Sequence, residues 1–139
     1  MRILVTGKNG QLGKSIHKIV NINNNDSLPP NAFIFVGREE LDLSSENSIS
    51  RYFDNNKFDI IINCAAYTQV DKAEQEVELA NQINHLAVKQ LASIANEQQA
   101  KLIHISTDYV FDGKKHDPYK ETDTTNPINV YGETKLKGE

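Results

Sequence analysis

A chain of 139 residues is near the commonest size for one domain and long enough to bury a single core. Its 38% apolar and 24% charged residues are those of a soluble folded protein, and a formal net charge of −4 gives no basic footprint for nucleic acid. The one cysteine, Cys64, can form neither an internal disulfide nor a thiolate metal cage, no apolar run approaches the roughly 18 residues of a membrane span, and Arg2 to Gly7 lacks the length and cleavage pattern of a signal peptide, so a cytoplasmic protein with no membrane partner is expected.

In chain order, residues 2–6 predict a short buried strand, followed by Gly7-Lys8-Asn9-Gly10-Gln11-Leu12-Gly13 and a helix with Leu12, Ile16, Ile19 and Val20 on one stripe. Asn21 to Asn31, with five asparagines and Pro29-Pro30, predicts a polar loop. Residues 32–36 predict a second strand. Ser44 or Ser45 then caps a helix running to about Phe53, though Ser48 stands where a full capping box has Glu. Residues 58–63 form a continuous apolar run, as a parallel strand covered on both faces should. From Lys72 to about Gln98, Ala73, Val77, Ala80, Asn84, Ala87, Leu91 and Ile94 recur at steps of three and four, which predicts one long helix. Lys101 to Ser106 predicts the fourth strand, and a helix begins near Val130 after a loop with Gly113, Pro118 and Pro127. This alternation predicts an α/β fold: a doubly wound parallel sheet of the Rossmann type with right-handed crossovers.

The glycines at 7, 10 and 13 sit between the first strand and the first helix, and that context gives them meaning. Gly7 permits a tight turn, Gly10 lets a pyrophosphate approach the backbone, and Gly13 lets helix and strand pack closely, while the helix's N-terminal amides meet the phosphates. The spacing resembles that of the short-chain dehydrogenase/reductase superfamily. About 20 residues beyond such glycines an acid binds the ribose 2′-hydroxyl of NAD, whereas an arginine accommodates the 2′-phosphate of NADP. Val36-Gly37-Arg38 lacks the acid and supplies the arginine, which predicts NADPH and leaves NADH open; Arg38 could equally be a solvated surface arginine. Asp42-Leu43 resembles the superfamily's pair beside the adenine, or is simply a turn before the Ser44-Ser45 cap. Asn63-Cys64-Ala65-Ala66 ends the third strand with small residues against which a cofactor can lie, and Cys64 reads as a small buried residue, not a nucleophile. The four histidines show no metal-ligand spacing, so no metal is expected.

Tyr131 and Lys135, four apart on a helix, share one face. A tyrosine with an unperturbed pKa of about 10 is a poor acid–base group at neutral pH unless a neighbouring ammonium stabilises the phenolate. Thr107 lies at the carboxyl end of the fourth strand, where doubly wound sheets place ligands, and its hydroxyl can bond a carbonyl being reduced.

Ser106-Thr107-Asp108-Tyr109-Val110-Phe111-Asp112-Gly113, Pro127-x-Asn129-x-Tyr131-Gly132-x-Thr134-Lys135 and Asn63-Cys64-Ala65-Ala66-Tyr67-Thr68-x-Val70-Asp71-x-Ala73-Glu74 are very similar to the dTDP-4-dehydrorhamnose reductases. The resemblance implies reduction of the C4 ketone of dTDP-4-dehydro-L-rhamnose by NAD(P)H, giving dTDP-L-rhamnose. It implies Tyr131 as proton donor, Lys135 as its electrostatic partner and ribose ligand, and Thr107 as the group orienting the carbonyl. It implies cofactor contacts at Gly7, Gly10, Gln11, Leu12, Gly13, Arg38, Asp42, Leu43, Cys64, Ala65, Ala66 and Tyr67, besides Tyr131 and Lys135. Val70, Thr107, Asp108 and Tyr109 match positions near the nucleotide-sugar substrate, and a homodimer is left open. The chain departs from the family's pattern in its Asn-rich loop, Gly37 and Cys64.

Such reductases are roughly twice this length. Residues 1–139 are therefore expected to be an incomplete NAD(P)-binding domain that stops before the C-terminal strands and substrate-binding region. A frayed last helix, an exposed apolar face, weak cofactor binding and poor turnover alone follow from that. Three other readings stay open: a nucleotide-sugar epimerase or dehydratase of the same superfamily, a non-catalytic subunit like the regulatory subunit of methionine adenosyltransferase, and a decayed structural fragment.

Overall fold

Four short apolar segments pair side by side in the structure, a computed structural model that describes residues 1–22 and 32–139. They are β1 (Ile3–Thr6), β2 (Phe33–Val36), β3 (Ile60–Asn63) and β4 (Lys101–His104). All pairings are parallel, in the order β2-β1-β3-β4. β1 is buried at all four positions, as a central parallel strand covered on both faces must be. The register aligns Val36, Thr6, Asn63 and His104 as one row at the carboxyl edge.

β2 lies on one side of β1 and β3 on the other, so successive crossovers run in opposite directions. Right-handedness then puts α1 (Gln11–Ile22) on one face of the sheet and α2 (Glu46–Asp54) on the other. Ser45 caps α2, its hydroxyl accepting from the Ser48 amide at 3.2 Å, and Ile49 and Phe53 turn into a core with Leu4, Phe58, Ile61 and Leu91. The apolar stripe of α1 is less buried than its spacing predicts. Gly13 is its one buried residue, while Leu12 and Ile19 are 40% and 57% exposed. Asn21 and Ile22 extend α1 into the expected polar loop, and the rest of that loop lies outside the described residues.

The single long helix expected from Lys72 to Gln98 is several pieces: α3 (Val70–Ala73), α4 (Val77–Asn81), a π-helical turn at Gln82–Leu86, and α5 (Ala87–Glu97). Tertiary bonds account for the interruption. The Glu74 carboxylate accepts from the Val130 amide at 2.8 Å, and Tyr67 Oη donates to Glu76 at 2.6 Å, so both acids between α3 and α4 serve neighbours. That bond keeps the Tyr67 phenol protonated, its pKa pushed up to about 12. Val77, expected on the buried stripe, is 46% exposed. The wider π turn carries Asn84 inward. There its Oδ1 accepts from the Tyr67 amide at 2.8 Å, and its Nδ2 donates to the Tyr67 carbonyl at 3.1 Å and to Thr134 Oγ1 at 3.2 Å.

Beyond β4, Asp108–Val110 make a 3₁₀ turn and Val130–Lys137 form α6. Asn129 caps α6, Oδ1 accepting from Gly132 N at 2.7 Å. A Cβ at Gly132 would stand 2.2 Å from the Tyr109 carbonyl oxygen, so glycine is what lets α6 seat on the 3₁₀ turn. With these supports α6 runs from Val130 to Lys137, and an exposed apolar surface occurs beside β4, at Ile103 and Ile105. Glu74 satisfies an amide that has no partner within α6 and places negative charge at its positive end. Glu74→Ala is expected to cost about 1 kcal/mol, a fall in Tm of a few degrees by calorimetry; an unchanged Tm would remove this cap from the account.

Candidate functional site

Because the crossovers diverge at β1 and β3, the loops leaving those strands part and open a crevice at the carboxyl edge. A cleft of about 800 Å³ lies there. One wall is the glycine turn. Gly7 has φ +70°, which allows its carbonyl to accept from Gly10 N at 2.9 Å, and any Cβ on it would meet the Cys64–Ala65 peptide at 2.8 Å. A Cβ on Gly13 would stand 2.3 Å from the Gly7 carbonyl oxygen, so the helix can approach the turn only with glycine there. Gly10, Gln11 and Leu12 line the cleft. The amides of the first turn of α1 have no intrahelical partners, and that turn carries no acidic residue of its own. This cradle fits an anionic dinucleotide.

The second wall follows β2. Arg38, with 73% of its side chain exposed, rests loosely on Asp42 Oδ2 and Ser44 Oγ, each at 3.4 Å. Burial works to raise the Asp42 carboxyl, but bonds from the Ser44 hydroxyl and amide, and then Arg38, outweigh it and hold it below the usual carboxylate range. Glu40 pairs with Lys8 and accepts from Gly37 N at 2.8 Å, and the Lys8 bond is the main cause of its lowered pKa. Leu41 and Leu43 complete the wall.

Cys64, Ala65, Ala66 and Tyr67 form the floor. Burial pushes the Cys64 thiol up, so it stays a protonated thiol. Opposite stand Ile105, Ser106, Tyr131 and Lys135. Lys135 is 2% exposed, and its Nζ donates to the Ile105 carbonyl at 2.5 Å and lies 3.4 Å from His104 Nε2. Burial lowers its pKa, with Glu139 opposing. The Tyr131 ring meets Tyr109 edge-on, centroids 5.4 Å apart.

The cleft thus brings together Gly7, Gly10, Gln11, Leu12, Arg38, Asp42, Leu43, Cys64, Ala65, Ala66, Tyr67, Tyr131 and Lys135. Gly13 is buried behind its wall. Thr107, Val70, Asp108 and Tyr109 are not among the lining residues. Thr107 Oγ1 accepts from Tyr109 N and donates to Asp108 Oδ1, both at 3.3 Å, capping the 3₁₀ turn. Sequence reasoning did not single out Ser106 and Ile105 on the cleft, His104 beside Lys135, or the Asn84 clamp; the interruption of an apolar helix stripe by one buried asparagine was the available signal for the last. Among the described residues no group of three or more His, Cys, Asp or Glu could hold a metal, and no helix is long and apolar enough to cross a membrane.

A parallel sheet with a reversal over a glycine turn, and a tyrosine–lysine helix across the cleft, defines a Rossmann-type fold of the dehydrogenase/reductase class. L-threonine 3-dehydrogenase from Trypanosoma brucei shares that fold at a TM-score of 0.84 and 22% identity, covering 99% of this chain and 46% of its own. The chain belongs to the family described as the RmlD substrate binding domain, which it matches over residues 1–139. It is 43% identical over 140 residues to the dTDP-4-dehydrorhamnose reductase of Escherichia coli K12, covering 100% of this chain and 46% of the relative. It is 42% identical over 138 residues to that of Aggregatibacter actinomycetemcomitans, covering 99% and 45%. The structure of a dTDP-4-dehydrorhamnose reductase from Bacillus anthracis in complex with NADP is similar at a TM-score of 0.85 and 37% identity, covering 99% of this chain and 47% of that one. The chain spans a little under half the length of these relatives.

Proposed function

We propose that this chain is the cofactor-binding and catalytic portion of a reductase that uses NADPH to reduce the C4 ketone of dTDP-4-dehydro-L-rhamnose. The observation that carries the reading is that Tyr131 and Lys135, one helical turn apart on α6, line the same cleft as the Gly7–Gly10 turn. The names of the relatives supply the sugar, and the NADP complex supports the nicotinamide cofactor.

The first-turn amides of α1 hold the pyrophosphate, and Ala65 and Ala66 admit the dinucleotide close to the backbone. Arg38, which rests on Asp42 and Ser44 by long contacts, turns onto the ribose 2′-phosphate, which favours NADPH over NADH. A bound reduced nicotinamide supplies hydride to the ketone carbon. Tyr131 Oη gives its proton to the carbonyl oxygen, leaving a phenolate that the Lys135 ammonium stabilises, while Lys135 also binds a ribose hydroxyl. Thr107 orients the carbonyl once its hydroxyl turns from Asp108, and Val70, Asp108 and Tyr109 lie toward the sugar. We assign most of the grip on the nucleotide-sugar to sequence outside these 139 residues, so turnover by this chain alone is slow.

Calorimetric titration of the chain with each cofactor tests the reading. NADPH is expected to bind about tenfold more tightly than NADH, the worth of one charged contact. Equal affinities would remove Arg38 from cofactor choice, and no heat with either would overturn the assignment.

A further inference from the structure

The carboxyl-edge row of the sheet contains a hydrogen-bonded chain that cofactor binding and proton donation by Tyr131 leave unused. Thr6, Asn63 and His104 are register neighbours on β1, β3 and β4. Thr6 and Asn63 are buried and His104 is half-buried. Thr6 Oγ1 lies 2.6 Å from Asn63 Oδ1, and Asn63 Nδ2 lies 3.1 Å from His104 Nδ1. His104 Nε2 then lies 3.4 Å from Lys135 Nζ.

Such a chain can run in either direction, and its surroundings choose one. A separation of 2.6 Å is an O–H···O spacing and is short for an amide N–H donor. The buried Thr6 hydroxyl hydrogen needs an acceptor, and Asn63 Oδ1 supplies it. The Ala65 amide lies 3.3 Å from both Thr6 Oγ1 and the same Asn63 atom, an arrangement that an oxygen at Asn63 shares and an NH₂ group there would oppose. Asn63 therefore donates through Nδ2, and His104 Nδ1 accepts. A neutral imidazole has one N–H, which must then sit on Nε2. Burial, with the Lys135 charge added, pulls the His104 pKa down to about 4, so the ring is neutral at working pH.

We propose that His104 is a positioning residue for Lys135: fixed by Thr6 and Asn63 as the Nε2–H tautomer, it shows the ammonium a donor, so Lys135 is not bonded back into the sheet through the imidazole. The Ile105 carbonyl is then its anchor, and its remaining protons stay available to the cleft. Lys135 Nζ sits nearer the Ile105 carbonyl than His104 Nε2, and the 3.4 Å separation from that nitrogen leaves room for its N–H. The opposite tautomer would accept from Lys135 and hold the ammonium at two points away from a ribose hydroxyl. The role given to Lys135 rests on the reductase reading above; the tautomer of His104 does not.

Two measurements on the 139-residue chain test this. Long-range ¹H–¹⁵N NMR of histidine-labelled protein between pH 6 and 8 is expected to show His104 neutral, with Nε2 protonated and Nδ1 bare. An Nδ1–H or doubly protonated ring overturns the proposal, whether or not the chain binds a cofactor. The second measurement is NADPH affinity in two variants. His104→Gln can turn its amide oxygen to Lys135 and is expected to weaken NADPH about tenfold, the worth of one charge-assisted bond. His104→Phe offers no acceptor and is expected to weaken it only about threefold, although Asn63 Nδ2 loses its partner and the Tm falls. Equal losses, or a greater loss with Phe, are what a merely structural histidine gives, and either overturns the proposal. If His104→Phe does not fold, an unchanged affinity in His104→Gln does the same. Absence of NADPH binding to the parent chain counts against the reductase reading, and the NMR result then decides the tautomer alone.

Discussion

Tyr131→Phe is expected to slow the reduction of dTDP-4-dehydro-L-rhamnose by about 10²–10⁴-fold, the usual worth of a positioned general acid. The change removes one oxygen from a half-buried ring packed edge-on against Tyr109. NADPH affinity should move by less than about threefold, because Lys135 and the glycine turn remain, and the Tm should hold because the ring contact survives. Single-turnover oxidation of NADPH by the keto-sugar, followed by absorbance, reads the step even where turnover is slow. A Phe variant within about threefold of the parent rate would strip Tyr131 of the proton and leave the cleft as a binding site.

The largest expected effect on stability is at Gly7. Gly7→Ala forces an L side chain to φ +70°, which costs about 1–2 kcal/mol. It also drives a methyl to 2.8 Å from the Cys64–Ala65 peptide, and since those are backbone atoms of the cleft floor the overpacking adds about 1–3 kcal/mol. The sum is a drop in Tm of about 10 °C or more, with loss of NADPH binding. Gly113 provides the comparison: it has φ +71° but nothing within 4 Å of its would-be Cβ, so Gly113→Ala should cost the strain alone. Equal Tm losses for the two variants would mean that the floor of the cleft gives way and that Gly7 matters only for its dihedral angles.

Both predictions concern residues legible in the sequence, and the reason is physical. Gly7, Gly10 and Gly13 act through what they lack, at spacings fixed by one turn and the start of one helix; Tyr131 and Lys135 share a face because of helical geometry alone. Local rules also placed the Ser45 cap and the start of α6 near Val130. They failed between Ala73 and Ala87. Steps of three and four fit a continuous helix and one with a break and a π turn equally well, and what separates them is where Glu74, Glu76 and Asn84 find partners outside the helix, 56, 9 and 17 residues away. They failed again on α1, whose stripe satisfies the period of an amphipathic helix yet stays largely exposed, because burial depends on what else reaches that face of the sheet.

The order of apolar runs determined a parallel α/β sheet, and with it the edge at which a ligand would lie. The fold decided which polar groups meet there: that Thr6, Asn63 and His104 fall on one row, that Lys135 is buried against the Ile105 carbonyl, and that Thr107 bonds its own turn. Periodicity and turn chemistry act over a few residues, so one stretch of sequence carries them. Hydrogen-bond partners separated by 30, 41 or 57 residues are chosen by strand register and helix docking, which exist only once the whole sheet has formed.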